Sequence, residues 1–186
     1  RLSCWLLMTL WRPFPTSWLT WNLLTRTLPK QERTLMAKGV DRFRANTAGL
    51  GLTIVEHSAS THTAQEAADA VGAPVAAIVK SLVFLAEGSP VLILASGPNR
   101  VNSEAVGERL GLVLSKADAD TVRSATGFSI GGVPPFGHPE PLTTVMDEDF
   151  FALEELWAAA GSSLAVFAIS PTRLQELSGA RVLRIT

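Results

Sequence analysis

Residues 78–96, IVKSLVFLAEGSPVLILAS, constrain the fold more than any other stretch. Two runs rich in β-branched and large apolar residues, KSLVFLA and VLILAS, flank the turn-forming EGSP, and this pattern predicts a β-hairpin. Inside it stands Lys80, the only charged residue between Asp69 and Glu87. Strand alternation places Leu82 and Phe84 on its face and Ser81 and Val83 on the other. The ammonium must therefore project toward a cleft or escape along its own stem, because burying it unpaired costs several kcal/mol, roughly. Two readings stand side by side: a cleft cation, and an edge-strand lysine that discourages aggregation. A Ser-Lys pair is disfavoured, since Ser81 and Lys80 point to opposite faces.

Around the hairpin the chain alternates helices and strands. Residues 37–50 read as a helix closed by GLG, and TIVEH as a short strand. THTAQEAADAVG carries a Thr63 cap, Glu66 three residues on for a capping box, and Gly72 as its stop. NSEAVGERLG repeats the device with Asn102 and Gly111, and SKADADTVRSATG with Ser115 and Gly127. LTTVMD, LAVFAIS and RVLRI read as strands, and PTRLQELSG as a helix with Pro171 at its first position. FFALEELWAAAG is open between helix and core strand, and the acidic triplet 147–149 is expected to cap a turn or helix start. Hairpins mixed with crossovers predict one α/β domain with a mixed sheet. No Gly-rich nucleotide-binding loop has the right spacing.

Composition separates the first 35 residues from the remainder. Trp5, Trp11, Trp18 and Trp21 all lie there, whereas residues 36–186 hold only Trp157. Residues 1–35 are therefore expected to be an atypical extension, disordered or not native, ahead of a domain spanning 36–186. CWLLMTLW is too short to span a bilayer, and Pro13 and Pro15 interrupt an amphipathic anchor. One cysteine, Cys4, excludes an intrachain disulfide and a thiolate metal cluster and suits a reducing cytoplasm. Residues 36–186 carry 11 Lys+Arg against 16 Asp+Glu, a net charge of −5. A nucleic-acid partner must then be held by a local patch or presented by another protein.

The second candidate for chemistry is GFSIGGVPPFGH, residues 127–138. Paired glycines expose the backbone and paired prolines stiffen the residues after them, so the loop can offer main-chain groups to a small ligand, or serve only as a crossover. His138 ends this stretch as a possible base or a plain surface histidine. His57 and His62 lack the context of a metal site. No GxSxG elbow or identifiable nucleophile supports a Ser or Cys hydrolase.

In this order, TAQEAADAVG…IVKSLVF, SGPNRVN, ATGFSIGGVPPFGH and AAAGSSLAVFAISPTRLQELSG resemble the YbaK/EbsC-type aminoacyl-tRNA deacylases, relatives of the editing domain inserted in bacterial prolyl-tRNA synthetases. The resemblance covers residues 37–186. It implies a single α/β domain with a mixed, barrel-like sheet surrounded by helices. It also implies hydrolysis of the ester joining a wrong amino acid to the 3′ end of a tRNA, often tRNA-Pro, with no metal or cofactor. The family lysine matches Lys80, whose charge would meet the phosphate or ribose end of the substrate. The family G-x-x-x-P loop matches Gly131 to Pro135, whose backbone would seat the aminoacyl group and orient the attacking water or the tRNA's own hydroxyl, so that Lys80, Gly131 and Pro135 are the expected catalytic positions. By the same resemblance Ser81, Asn99, Gly132, Val133, Pro134, His138 and Leu164 are expected around the substrate. Departures are Leu164 and Ala165 where relatives carry His, Asn or Asp, Asn102 for the usual Asp, and His62 for a frequent Arg. The first would make the pocket more apolar and alter substrate choice, or mark a weakened member.

The resemblance implies a freestanding, cytoplasmic trans-editing hydrolase, with aminoacyl-tRNA and a prolyl-tRNA synthetase as partners and neither DNA nor a membrane. The alternatives are a module that binds aminoacyl-tRNA or a nucleotide without turnover, and a regulatory partner of a synthetase.

Overall fold

The predicted hairpin forms the middle of the sheet. The computed structural model describes residues 30–57, with side chains from residue 38, and residues 63–186. Most of the expected 1–35 extension lies outside the described residues, as does His62. Strands β2 (Ile78–Ala86) and β3 (Ser89–Ser96) pair antiparallel from Val79↔Ser96 to Ala86↔Ser89. Glu87 and Gly88, with φ of 51° and 84°, form the two-residue turn, whose positive φ values match the twist of a hairpin.

Five α-helices and six further strands complete the described fold. In chain order they are α1 (Lys30–Asn46), β1 (Ile54–Glu56), α2 (Ala64–Val71), α3 (Ser103–Leu110), β4 (Leu114–Lys116), α4 (Ala119–Thr126), β5 (Thr143–Asp147), β6 (Leu156–Ser162), β7 (Ala165–Ile169), α5 (Pro171–Ser178) and β8 (Arg181–Leu183). The sheet runs β1-β7-β6-β2-β3-β5-β8, with β4 beside β2. It is mixed, because β2–β6, β3–β5 and β5–β8 are parallel and the other pairs antiparallel. This path has two ends, β1 and β8, so the sheet is not a closed barrel.

Local signals explain most elements. The Thr63–Glu66 capping box opens α2, Asn102 caps α3, Ser170 caps α5 ahead of Pro171, and left-handed Gly72, Gly111, Gly127 and Gly179 terminate α2 to α5. Two expectations are corrected and one open reading is resolved. Helix α1 begins at Lys30, not residue 37, because KQERTLMAK consists mostly of strong helix formers, and it ends at Asn46. Asp118, not Ser115, caps α4 by accepting from Thr121 N–H, since Ser115 is drawn into β4 opposite Leu85. FFALEELWAAAG divides into a 3₁₀ turn, Glu148–Ala152, and strand β6, where tertiary pairing overrides the helical period.

The largest core cluster lies on one face of the sheet. Phe43 of α1, Phe136 and Phe167 of β7 meet there with ring centroids 5.2–5.9 Å apart. Burial of each such ring is worth roughly 1.5–3 kcal/mol. On the opposite face of β2 two smaller clusters sit apart: Ile78 under α2, and Phe84 and Ala86 with Val106 of α3. Lys80 and Leu82 fall on this second face, between them.

Candidate functional site

A break in strand pairing creates the site. On the edge of β2 away from β3, β6 pairs only with Ile78 and Val79, and β4 only with Phe84 to Ala86. Lys80 to Val83 therefore have no neighbouring strand on that edge among the described residues. A cleft of about 250 Å³ opens along it. Its walls are Ala64, Ala67 and Val71 of α2, Ile78 to Leu82 of β2, Ile130, Gly131 and Val133 of the loop, Trp157, Ala159 and Ser162 of β6, and Val166 of β7. The lining is mainly apolar, with Lys80 its one charged member among the described residues.

The strand holds Lys80 half-buried, and a polar network fixes its surroundings. Lys80 Nζ donates to Asn99 O at 2.5 Å. The Asn99 amide donates to Asp147 Oδ2 at 2.8 Å and to Asp149 Oδ2 at 2.7 Å, and Ser96 N–H donates to Asp147 Oδ2 at 3.0 Å. Asp147 is 1% exposed, at the end of β5, where it also caps the adjoining 3₁₀ turn. Burial lowers the Lys80 pKa below the ordinary lysine value; the Asp147 charge pulls it up and the Arg100 charge presses it further down. Lys80 is thus both a cleft cation, sharing its first contact with a backbone carbonyl, and a lysine on an unpaired strand edge.

Opposite it, the loop has a buried base and an exposed tip. Phe128 and Val133 to Phe136 are buried, whereas Ser129, Ile130 and Gly131 are exposed. Gly132 lies against β6 so closely that a Cβ there would meet Ser162 Cα at 2.7 Å and Ser162 N at 2.9 Å. Its N–H donates to Ser129 O at 2.9 Å inside the turn, which leaves the groups around Gly131 to face the cleft. His138 Nε2–H donates to Pro134 O at 2.9 Å, and its ring stands edge-on to Phe128. Burial lowers the His138 pKa, with the Pro134 carbonyl opposing, so the ring holds the loop's shape in its neutral form.

Of the residues expected at the site, Lys80, Ser81, Gly131 and Val133 line the cleft. Asn99 reaches it through Lys80. Gly132, Pro134, Pro135 and His138 build the loop without lining the cleft. Leu164 is not brought to it either: it sits in the β6–β7 turn, where Leu164 N–H donates to Ser162 Oγ and Leu164 O accepts from His57 N–H. The sequence reading missed the supporting role of Asp147 and the wall residues Trp157, Ser162 and Val166. Trp157 had a signal, as the only tryptophan in residues 36–186. Ser81 Oγ is buried at the cleft wall without a hydrogen-bond partner among the described residues, a polar group whose capacity is unmet there. Among the described residues no group of three His, Cys, Asp or Glu is placed to hold a metal, and no helix is long and apolar enough to cross a membrane.

Fold and cleft together define a mixed α/β domain with an apolar cleft between a lysine-bearing strand edge and a glycine-rich loop. The aminoacyl-tRNA editing domain family matches residues 58–177, and the chain belongs to that family. A crystal structure of a candidate trans-editing enzyme for prolyl tRNA synthetase superposes with a TM-score of 0.76 at 44% identity, covering 80% of this chain and 96% of that one. The uncharacterised YwhH of Bacillus subtilis (strain 168) is 29% identical over 130 residues, 69% of this chain and 83% of YwhH. The proline–tRNA ligase of Oleidesulfovibrio alaskensis is 32% identical over 82 residues, 44% of this chain but 14% of the ligase. The match to that ligase is therefore to a small part of a much longer protein.

Proposed function

We propose that this protein is a trans-acting deacylase of mischarged aminoacyl-tRNA, acting in the cytoplasm on tRNA-Pro carrying an amino acid other than proline. The observation that carries this reading is the convergence of Lys80 and the Gly131 loop on one apolar cleft, in a chain of the editing-domain family.

The cleft suits an ester whose two ends differ. The Lys80 cation is fitted to the ribose–phosphate side, where it supplies charge in a partly desolvated setting. The apolar walls suit a small side chain, and the unmet Ser81 hydroxyl suits a polar atom of the amino acid. Main-chain groups around Gly131 would hold the ester carbonyl and the attacking water. Water oxygen adds to the carbonyl carbon, the bond to the ribose oxygen breaks, and that oxygen takes up a proton. The products are the free amino acid and a tRNA with its hydroxyl restored. Positioning and electrostatics account for such a step without a covalent enzyme intermediate.

The test is hydrolysis of tRNA-Pro charged with Cys, Ala, Ser or Pro, with Lys80→Ala alongside. Turnover of a non-prolyl species, reduced about 10²-fold or more in the variant while its far-UV spectrum and Tm hold, is the expected result. Full activity in Lys80→Ala would refute the role of the lysine. No turnover of any species by the folded protein would refute deacylation and leave a binding module.

A further inference from the structure

We propose that helix α1 is the clamp that sets the glycine-rich loop against the cleft, with Arg42 and Asn46 as its positioning residues. Their bearing on hydrolysis rests on the proposed deacylase function; the clamp itself does not. The family match begins at residue 58, so α1 lies wholly upstream of it.

One stripe of the helix makes the contacts. Gly39, Arg42, Phe43 and Asn46 recur at i, i+3, i+4 and i+7, which places them on one face. Gly39 meets β6: a Cβ there would lie 2.1 Å from Gly161 O, and one on Gly161 would lie 2.3 Å from Gly39 O. Gly161 precedes Ser162, against which Gly132 rests, so α1, the end of β6 and the loop stack as three close-packed layers. Arg42 donates to Gly127 O, and the Asn46 amide donates to Gly137 O at 2.8 Å. Those carbonyls stand at the two ends of the loop, and both belong to glycines with a φ of 79°. The two donors are four residues, or about 6 Å, apart along the helix axis, a fixed spacing that the loop's ends must match. Phe43, next to Arg42, is buried against Phe136.

Arg42 also reaches the middle of the loop. Its Cζ stands 5.9 Å from the centroid of the Phe128 ring, Phe128 meets the His138 ring edge-on, and His138 Nε2–H donates to Pro134 O. Residues 127, 134 and 137 are thus tied to one helix face, and Gly131 lies between the first two. Arg42 and Asn46 are both exposed, where water would satisfy them equally well, so these bonds add little to stability. What they supply is the loop's position, and a displacement of about 1 Å at a reacting centre can cost on the order of 10²-fold in rate.

The experiment joins hydrogen exchange to kinetics in Arg42→Met and Asn46→Ala, replacements that keep good helix formers in α1. In both, exchange should quicken several-fold at Phe128 and Gly132, whose N–H groups bond Thr126 Oγ1 and Ser129 O, and stay unchanged in the β2–β3 hairpin. On whichever charged tRNA the unaltered protein hydrolyses, kcat should fall about 10-fold with KM unchanged. Arg42→Lys, which keeps a donor, should recover part of that loss. Loop exchange unaltered in both variants, an equal rise in the hairpin, or a loss confined to KM would overturn the proposal. If the unaltered protein hydrolyses no charged tRNA, deacylation fails, and the exchange by itself still decides whether α1 holds the loop.

Discussion

The two sides of the cleft are held by different forces. The Lys80 corner is a polar network in which the buried Asp147 carboxylate accepts from Ser96 N–H and from the half-exposed Asn99 amide. The facing loop is tied at its ends by hydrogen bonds from Arg42 to Gly127 O and from Asn46 to Gly137 O, but its middle is held by shape, with Phe128 and Phe136 buried and Gly132 flat against Ser162. A network fails when one partner is removed, because the remaining donors stay buried and unpaired. A close-packed contact fails when an atom is added. The corner thus tolerates a change of size better than of polarity, and the loop the reverse.

The strongest way to break this contrast is Asp147→Ala. It strands the buried Ser96 N–H, leaves the Asn99 amide with Asp149 alone and removes the cap of the 3₁₀ turn, and should cost about 3 kcal/mol, a fall in Tm of roughly 6–12 °C by calorimetry. Asp147→Asn, which keeps an acceptor, should recover most of that loss; an equal loss in both variants would show that charge, not hydrogen bonding, holds the corner. On the other side, Gly132→Ala should cost about 1–3 kcal/mol and lower activity with it, since the loop must retreat from Ser162. Gly131→Ala is the sharper control, because a Cβ there meets only Ser163 Cβ at 3.8 Å, although the φ of 84° strains any side chain. If Gly132→Ala were the milder of the two, backbone conformation rather than packing would govern the loop.

The smallest effect concerns pH. The Lys80 pKa is lowered in the folded protein, so the cation is lost as pH rises through that lowered value, before an ordinary lysine would lose it. The rate of deacylation, corrected for hydrolysis in buffer, should therefore fall on the alkaline side. Arg100→Gln removes a lowering influence and should move this limb upward, and Asp147→Asn removes a raising one and should move it downward. In the window between the lowered value and the unfolded one the unfolded chain binds more protons, so this lysine's contribution to stability rises with pH there. A limb that ignored both substitutions would detach the pH profile from Lys80.

Much of this architecture was legible in local chemistry. The hairpin, the capped helices and the alternation that separated Lys80 from Ser81 depend on neighbours a few residues apart, which a sequence displays directly. Ser115 and LWAAA misled or stayed open for one reason: each was claimed by a distant strand, β4 by β2 and β6 by β2 and β7. Leu164 was expected at the substrate because its segment matches the family there, but the strand register carries Ser162 and Val166 to the cleft and leaves Leu164 in the turn.

By itself, the sequence determined which residues could carry charge, bend or cap, and through its ordered motifs it pointed to a family and a lysine. Only the tertiary structure decided that β6 and β4 share one edge of β2 and leave a gap between them. That gap makes the cleft, and no local signal encodes it, because it arises from where two strands stop pairing with a third. Asp147 shows the same division: its sequence neighbours mark a cap, and only the meeting of β3 and β5 makes it the support of the Lys80 corner.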